Sequence, residues 1–166
     1  MTDRETYPRP LIILHWLIVA LIVAQWLSSE GMEDFFRSAK DSGVAPGFPG
    51  PSLALVHAGI GATILVLAIS RLFIRMKSDI PPPPKDLHPI LQFISRFTHY
   101  GLYAMLILLP LSGVASLLIN PEAGDVHELL VNVLYALAAA HILGALTHLL
   151  ILRDGVFWRI LPVKNR

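Results

Sequence analysis

Four long apolar segments separated by polar loops dominate the pattern of hydrophobic and polar positions along the chain. The segments cover about 11–28, 53–75, 93–119 and 127–152, and their interiors carry almost no charge. An apolar run of about 17 residues or more is long enough to cross the hydrocarbon core of a bilayer as a helix. The pattern therefore predicts an all-α fold, a four-helix bundle integral to the membrane, in which residues 1–166 form a single transmembrane domain.

Composition supports a membrane protein and narrows its chemistry. Hydrophobic residues make up 54% of the sequence and the mean hydropathy is +0.61, which is too apolar for an ordinary soluble domain. The chain has no cysteine, which excludes disulfides, iron–sulfur clusters, thiol catalysis and covalent c-type haem attachment. The net charge of +1 gives no reason to expect a nucleic-acid partner.

The charges of the loops predict the orientation of the bundle. The loop between the second and third segments and the C-terminal tail are rich in lysine and arginine, whereas the first and third loops are net acidic. Because basic loops stay in the cytoplasm, both termini are expected there, in a multi-pass protein of the bacterial inner membrane. The first segment is expected to be a retained helix, since Asp3 and Glu5 precede it and Ser28-Ser29-Glu30 is a poor signal-peptide cleavage site.

The polar loops are expected to be irregular or extended. Residues 28–52 form the longest loop, with a glycine- and proline-rich stretch at 43–51 and one short interfacial turn around 32–37. The prolines at 81–84 predict a stiff, extended spacer between the second and third segments. Pro110 lies inside the third segment and predicts a kink there.

Histidines supply the candidate chemistry, because ionisable side chains at membrane depth are costly and default to a functional role. His15 lies near the cytoplasmic end of the first segment and His57 near the outer end of the second, so they cannot share one metal ion. His127 and His141 lie on one face of the fourth segment, about 21 Å apart in depth. An antiparallel bundle then places His57 with His127 as an outer pair, and His15 with His141 as an inner pair. His148, on nearly the same face, is the alternative inner ligand, but its depth matches less well.

Haem iron is the metal that best suits these pairs. Imidazole pairs with no carboxylate or thiolate beside them favour low-spin haem, whereas zinc needs three or four ligands and di-iron sites need Glu-x-x-His motifs, which the sequence lacks. Glycine and alanine next to His57 and His141 leave room for a flat macrocycle. Hydrogen bonding between helices is the alternative role for any single membrane histidine.

Several polar side chains near the cytoplasmic ends of the segments have more than one interpretation. Arg71 and Arg75 are expected to be positive-inside anchors, and the deeper Arg71 is also placed to pair with a haem propionate. Three roles remain open for His99: it could bond a haem propionate, line a quinone pocket, or lie among the lipid headgroups. His88 is expected to be a solvated loop residue, and Trp158, like the other tryptophans, an interfacial anchor.

Together these residues resemble the bacterial cytochrome b561 family of small four-helix di-haem cytochromes. The resemblance covers nearly the whole chain. It is carried by His15-Trp16, His57-Ala58-Gly59, Ser70-Arg71-Leu72, Tyr103 with Leu109-Pro110-Leu111-Ser112-Gly113, His127-Glu128 with Asn132, His141, His148, and the ending Trp158-Arg159-Ile160-Leu161-Pro162. The resemblance implies that the four histidines of the two predicted pairs bind the irons of two haem b groups.

The resemblance is especially close to the superoxide oxidase branch of that family. It implies an oxidoreductase that takes electrons from periplasmic superoxide, releases O₂, and passes the electrons through both haems to ubiquinone. The quinone is expected near His148, with His99 and Trp158 nearby. The alternative is a non-enzymatic haem anchor and electron conduit for a partner dehydrogenase, which the acidic outer face would dock. A metal transporter that uses histidines is disfavoured, because the apolar segments lack carboxylates inside the membrane.

Overall fold

The computed structural model describes residues 6–42, 50, 52–84, 87–119 and 123–161, and those residues contain helices and connecting segments but no strand. The helices are α1 (Arg9–Leu27), α2 (Ser29–Ser42), α3 (Leu53–Lys77), α4 (Pro89–Leu118) and α5 (Ala123–Thr147), followed by a π-helical turn (His148–Leu152) and a 3₁₀ turn (Val156–Ile160). In the described ranges, α1, α3, α4 and the segment Gly124–Leu152 are long and apolar enough to cross a membrane. The predicted all-α membrane bundle of four spans is therefore confirmed.

Helix α4 begins earlier than the hydropathy pattern indicates. It starts at Pro89, not near residue 93, because proline fits the first turn of a helix and the ring of His88 caps it. The His88 Nδ1 atom accepts a hydrogen bond from the backbone N–H of Ile90 at 3.3 Å, so His88 has a defined helix-capping role. The early start also places His99 about 15 Å along the helix axis from Pro89, the first residue of α4. The helix continues through Pro110 to Leu118.

Helix α2 replaces much of the predicted irregular loop. The expectation of one short turn around 32–37 was wrong, because the helix has 14 residues. The charged side chains of Glu33, Asp34 and Arg37 are exposed, whereas Phe35 and Phe36 are half-buried, which is the pattern of an amphipathic helix. Of the glycine- and proline-rich stretch at 43–51, only Gly50 lies within the described residues.

Helix α2 approaches α3 closely at Gly31. A Cβ atom on Gly31 would clash with the Cβ atom of Leu53 and would lie 3.1 Å from the Leu53 carbonyl carbon and 3.2 Å from the Ala54 nitrogen. Two of these neighbours are backbone atoms, which cannot move aside as a flexible side-chain end can. Glycine at this position therefore sets the distance between the two helices.

Side-by-side packing of the long helices forms the core. Helix α1 packs on α3, α3 on α4, and α4 on α5. Met105 and Leu109 of α4 are buried against Leu134 of α5. Large apolar side chains such as Phe97 and Ile151 are exposed on the outer surface of the bundle, as expected where helices face lipid instead of water.

The beginning of the chain, the loop after α3 and the C-terminal segment meet at one end of the bundle. The Tyr7 backbone N–H donates to the Arg159 carbonyl at 3.2 Å, and Trp16 Nε1 donates to the Ile160 carbonyl at 2.9 Å. Arg159 Nη1 in turn donates to the Pro82 carbonyl at 2.7 Å. We call this the terminal end of the bundle, and the opposite end, where α2 packs on α3, the α2 end.

Candidate functional site

Two of the predicted histidines line one cavity in the half of the bundle nearest the α2 end. The cavity measures about 100 Å³ and is lined by His57, near the start of α3, and His127, near the start of α5. Most of its remaining wall is apolar, with Ile22, Ile64, Leu106, Leu109, Val131 and Leu134. The fold therefore brings together the two side chains that the sequence pairs, in apolar surroundings.

Hydrogen bonds determine which ring nitrogen of His57 carries the proton. The Ser28 hydroxyl donates to the Gln25 carbonyl at 3.0 Å, so its oxygen is the acceptor in the 3.3 Å contact with His57 Nδ1. In that arrangement His57 Nδ1 carries the proton of the neutral ring and Nε2 keeps its lone pair. A lone pair on one nitrogen and a hydrogen-bonded N–H on the other is the usual state of a metal-binding histidine.

The same arrangement occurs at His127. Its Nδ1 atom lies 3.0 Å from the Leu109 carbonyl oxygen and 3.0 Å from Ser112 Oγ. The Ser112 hydroxyl itself donates to the Leu109 carbonyl at 2.8 Å, so both neighbours accept from His127 Nδ1. The lone pair of His127 is therefore on Nε2, as it is in His57.

Three histidines from three helices come together in the other half of the bundle. The ring centres of His15 on α1 and His141 on α5 are 6.2 Å apart. His99 on α4 lies closer still, with its ring centre 5.0 Å from that of His141. The His99 Nδ1 atom donates to the Ser95 carbonyl at 2.6 Å, which leaves its Nε2 atom with the lone pair. We call His15, His99 and His141 the histidine cluster.

A half-buried arginine, Arg71, lies near the histidine cluster. Arg71 is within electrostatic range of His15 and His141, and its Nη1 atom donates to the hydroxyl of the buried Tyr103. Its guanidinium carbon is 5.4 Å from the centre of the Tyr103 ring. The Arg71 Nε atom is buried and has no hydrogen-bond partner among the described residues. A buried, unpaired guanidinium N–H is costly, and a carboxylate is the acceptor that suits it best.

These observations fit haem. The described residues contain no group of three or more His, Asp or Glu side chains arranged to hold a metal ion by themselves, so a site of protein ligands alone is not indicated there. Haem iron needs only axial ligands from the protein. A separation of 6.2 Å between the ring centres of His15 and His141 leaves room for one metal ion, because each metal–imidazole bond is about 2 Å long. Arg71 offers a donor that suits a propionate.

His148 lies outside the histidine cluster, in the π-helical turn that follows α5. Its Nδ1 atom is 2.6 Å from Asp154 Oδ2, and both side chains line a groove of about 510 Å³ at the terminal end. The aromatic side chains of Phe157 and Trp158 form part of the groove wall. The structure thus places the predicted quinone residues His148 and Trp158 together, and it places His99 with His141 instead.

Several residues of the site were not singled out as functional from the sequence. Ser28, Gln25 and Asp154 have no distinctive motif, because their partners or neighbours are brought to them by the packing of helices or by an irregular turn. Tyr103 and Ser112 were noted only as parts of the family motifs, and their partners Arg71 and His127 are 32 and 15 residues away in sequence. Contacts of this kind become visible only once the helices are packed.

Comparison with known proteins adds an independent observation. The family model described as prokaryotic cytochrome b561 matches residues 6–163. The chain is 29% identical to the probable superoxide oxidase CybB of Yersinia pestis, over 92% of this chain and 93% of that protein. It is 28% identical to cytochrome b562 of Cereibacter sphaeroides, over 97% of this chain and 98% of that one. It is 24% identical to cytochrome b561 homolog 1 of Escherichia coli strain K12, over 96% and 98% of the two chains.

The family match spans almost the entire chain, including every histidine discussed above. It agrees with four membrane-spanning helices and with a ligand set that suits haem. The chain therefore belongs to the prokaryotic cytochrome b561 family, and it is a multi-pass bacterial membrane protein that transfers electrons and uses a haem cofactor.

Proposed function

We propose that this protein oxidises superoxide at the α2 end of the bundle and reduces ubiquinone at the terminal end. Two superoxide anions each lose one electron and become O₂, and one ubiquinone gains those two electrons and two protons to become ubiquinol. The specific donor is suggested by the relative that is named a probable superoxide oxidase. The overall reaction crosses the membrane, so its two halves need sites at different depths.

The observation that carries the proposal is that histidines from different helices gather at two depths. His57 and His127 line the cavity in the α2-end half, and His15 and His141 face each other in the other half. His127 and His141 are both on α5, about 21 Å apart along its axis. We assign one haem b to each pair, with His57 and His127 as one set of iron ligands and His15 and His141 as the other. Bound haem supplies reversible one-electron transfer.

The chain's own residues hold these ligands in place. Ser28 and Ser112 accept hydrogen bonds from the Nδ1 atoms of His57 and His127, which fixes the tautomer and the orientation of each ring. The apolar wall of the cavity keeps water away from the two rings. Arg71, positioned by Tyr103, is assigned to a haem propionate, and His99 is a second candidate donor for that carboxylate.

The loop charges support an orientation with the terminal end in the cytoplasm. Exposed or half-buried basic side chains near this end include Arg75, Lys77, Arg153 and Arg159. Basic residues next to membrane spans are retained on the cytoplasmic side. The proposed membrane is accordingly the bacterial inner membrane, with superoxide arriving from the periplasm and ubiquinone entering near the cytoplasmic interface, at the groove lined by His148 and Trp158.

A second candidate function is supported by the charge of α2. Glu30, Glu33 and Asp34 of this helix are exposed, and Arg37 is paired with Asp34 at 3.2 Å. An acidic surface favours the approach of a cationic protein over that of an anion such as superoxide. On this basis the alternative is a non-enzymatic conduit that receives electrons from a partner dehydrogenase docked at the α2 end.

One experiment separates the two functions. Purified, haem-loaded protein is mixed in a stopped-flow instrument with potassium superoxide and ubiquinone-1, with no other protein present. We expect rapid haem reduction at the α-band followed by ubiquinol formation, and both signals should disappear when superoxide is allowed to decay before mixing. Haem that superoxide leaves oxidised, in protein that dithionite reduces fully, would exclude the superoxide reaction and favour the conduit.

A further inference from the structure

We propose that His148 and Asp154 form a proton-donating pair for the reduction of the quinone, with His148 Nε2 as the atom that gives up the proton. This inference rests on the proposed quinone site in the terminal-end groove. It assigns a role to Asp154, which neither the sequence motifs nor the proposed electron path requires.

The geometry of the pair is that of a strong hydrogen bond in a sheltered place. His148 Nδ1 lies 2.6 Å from Asp154 Oδ2, and the two side chains are only 16% and 18% exposed. Charged hydrogen bonds at this distance are about twice as strong as neutral ones. Both residues line the groove of about 510 Å³ together with the aromatic rings of Phe157 and Trp158, whose flat apolar surfaces suit a quinone ring.

The backbone around Asp154 is shaped to hold it against His148. Arg153 has φ 49 and ψ 35, and Gly155 has φ 81, so left-handed residues flank Asp154 on both sides. For arginine this conformation is unfavourable. The backbone N–H of Val156 donates to Asp154 Oδ1 at 3.1 Å, which leaves Oδ2 for the histidine. The carboxylate is thus fixed by two hydrogen bonds through its two oxygens.

The hydrogen bond decides which nitrogen of His148 exchanges protons. An ionised carboxylate only accepts, so His148 Nδ1 keeps its proton whether the ring is neutral or charged. The other nitrogen, Nε2, is the one that is protonated and deprotonated. The carboxylate holds the ring in one tautomer and orientation, which is the role that an aspartate has beside a catalytic histidine in hydrolases.

The proton count agrees with quinone chemistry. Each electron that reaches the quinone is matched by one proton that moves from His148 Nε2 to a quinone oxygen, and the ring is reprotonated from water at the terminal end. Two such cycles supply the two protons of ubiquinol, and the electrons are those of the proposed superoxide reaction. Among the described residues, the other charged side chain that lines the groove is Arg153, whose Nε atom donates to the Leu150 carbonyl at 3.2 Å.

The test follows the quinone half of the reaction alone. Haem-loaded wild-type protein is reduced with dithionite, freed of excess reductant, and mixed with ubiquinone-1 while haem reoxidation is recorded between pH 5.5 and 9. Asp154→Asn should slow reoxidation by about 10² or more and alter its pH profile, as expected for loss of a general acid. Asp154→Glu, which keeps a carboxylate, should restore part of the rate. Asp79→Asn, which removes an exposed acid near the same end, is the matched control.

A purely structural role for Asp154 predicts a different result. If the pair only ties the C-terminal segment to the π-helical turn, Asp154→Asn would change haem content or thermal stability but would leave the pH profile of reoxidation as in the wild type. That outcome would overturn the inference. Measuring the solvent isotope effect on reoxidation in the wild type provides a test that needs no variant, and a value of one would also overturn it.

Failure of the quinone site itself gives a separate signature. Wild-type haem that ubiquinone-1 does not reoxidise at any pH would remove the proposed quinone reaction and this inference with it. The other outcome is that ubiquinone-1 reoxidises the wild-type haem, and that Asp154→Asn and His148→Gln are reoxidised as fast as Asp79→Asn. That outcome would overturn this inference and leave the quinone site in place.

Discussion

The Nδ1 atom of His127 on α5 lies 3.0 Å from the carbonyl oxygen of Leu109 on α4, the residue directly before Pro110. A carbonyl can only accept, so the contact fixes the tautomer of His127 without any other partner. Ser112 adds a second acceptor at 3.0 Å. The proline-containing part of α4 therefore orients a ring on the neighbouring helix.

Substitutions of the paired histidines should remove one haem at a time. His57→Ala or His127→Ala should remove the haem in the α2-end half, and His15→Ala should remove the other, because an iron that loses an axial ligand is no longer low-spin and is held weakly. Pyridine haemochrome analysis and redox titration give the number and potential of the haems left. His88→Gln is the control, because His88 caps the start of α4 and belongs to neither proposed histidine pair. Loss of the same haem from all three variants would contradict the two-site assignment.

Ser112→Ala offers a milder change at the same site. His127 keeps its hydrogen bond to the Leu109 carbonyl, so the haem should remain bound. The ring is less well restrained, and removing a supporting partner of a metal ligand costs about 10- to 100-fold in affinity. Haem release to apomyoglobin should therefore be faster than in the wild type but slower than in His127→Ala. Release as fast as in His127→Ala would mean that the carbonyl alone does not hold the ring.

His141 and His148 should respond differently to substitution. His141→Ala should lose one haem, since its ring faces His15 and His99. His148→Ala should keep both haems and slow quinone reduction, because His148 is bonded to Asp154 instead. Optical spectra and ubiquinol assays of both variants distinguish the roles. A His148→Ala protein with one haem would reverse the assignment of the ligand.

Arg71→Gln should lower the midpoint potential of the haem that we assign to His15 and His141. A nearby positive charge stabilises the reduced form, and each factor of ten lost in a one-electron equilibrium corresponds to about 59 mV. Lys77→Gln removes the same charge from the same helix at an exposed position and should have a much smaller effect. Tyr103→Phe removes the hydroxyl bonded to Arg71 and should fall between the two. Equal shifts of the midpoint potential in Arg71→Gln and Lys77→Gln would mean that Arg71 affects the haem only as a distant charge.

Gly31→Ala should destabilise the packing of α2 on α3. The added Cβ would press on the backbone of Leu53 and Ala54, and overpacking of this kind costs about 1–3 kcal/mol. Gly59→Ala on α3 is the matched control, because a Cβ there has no neighbour within 4 Å. It should be neutral or stabilising by up to about 1 kcal/mol through helix propensity. Thermal unfolding in detergent compares the two variants. Similar unfolding midpoints would mean that α2 moves away from α3 without loss of stability.

Hydropathy and helical periodicity account for the parts of the fold that could be predicted. The four spans follow from apolar length alone, because the bilayer core sets how long a helix must be. The separation of His127 and His141 along α5 follows from the fixed rise and rotation of an α-helix. The meeting of His15 with His141 then needs only that consecutive spans cross the membrane in opposite directions.

Features that depend on contacts between elements could not be predicted in the same way. Helix α2 is polar overall, with its half-buried face packed near α3, so its hydropathy resembles that of a loop. His99 lies deeper than expected because His88 and Pro89 begin α4 inside a proline-rich stretch. The π-helical turn and the left-handed Arg153 bring Asp154 to His148, a pairing over six residues that a regular helix does not make.

The closing of the terminal end also bears on how the protein is made. Tyr7 precedes the first span and Trp16 lies within it, whereas their partners Arg159 and Ile160 follow the fourth span and are therefore synthesised later. The groove wall formed by Phe157 and Trp158 therefore cannot take its final place until all four spans have been synthesised. The helices that carry the proposed histidine pairs are synthesised before that point, so these helices can pack together before the proposed quinone groove is complete.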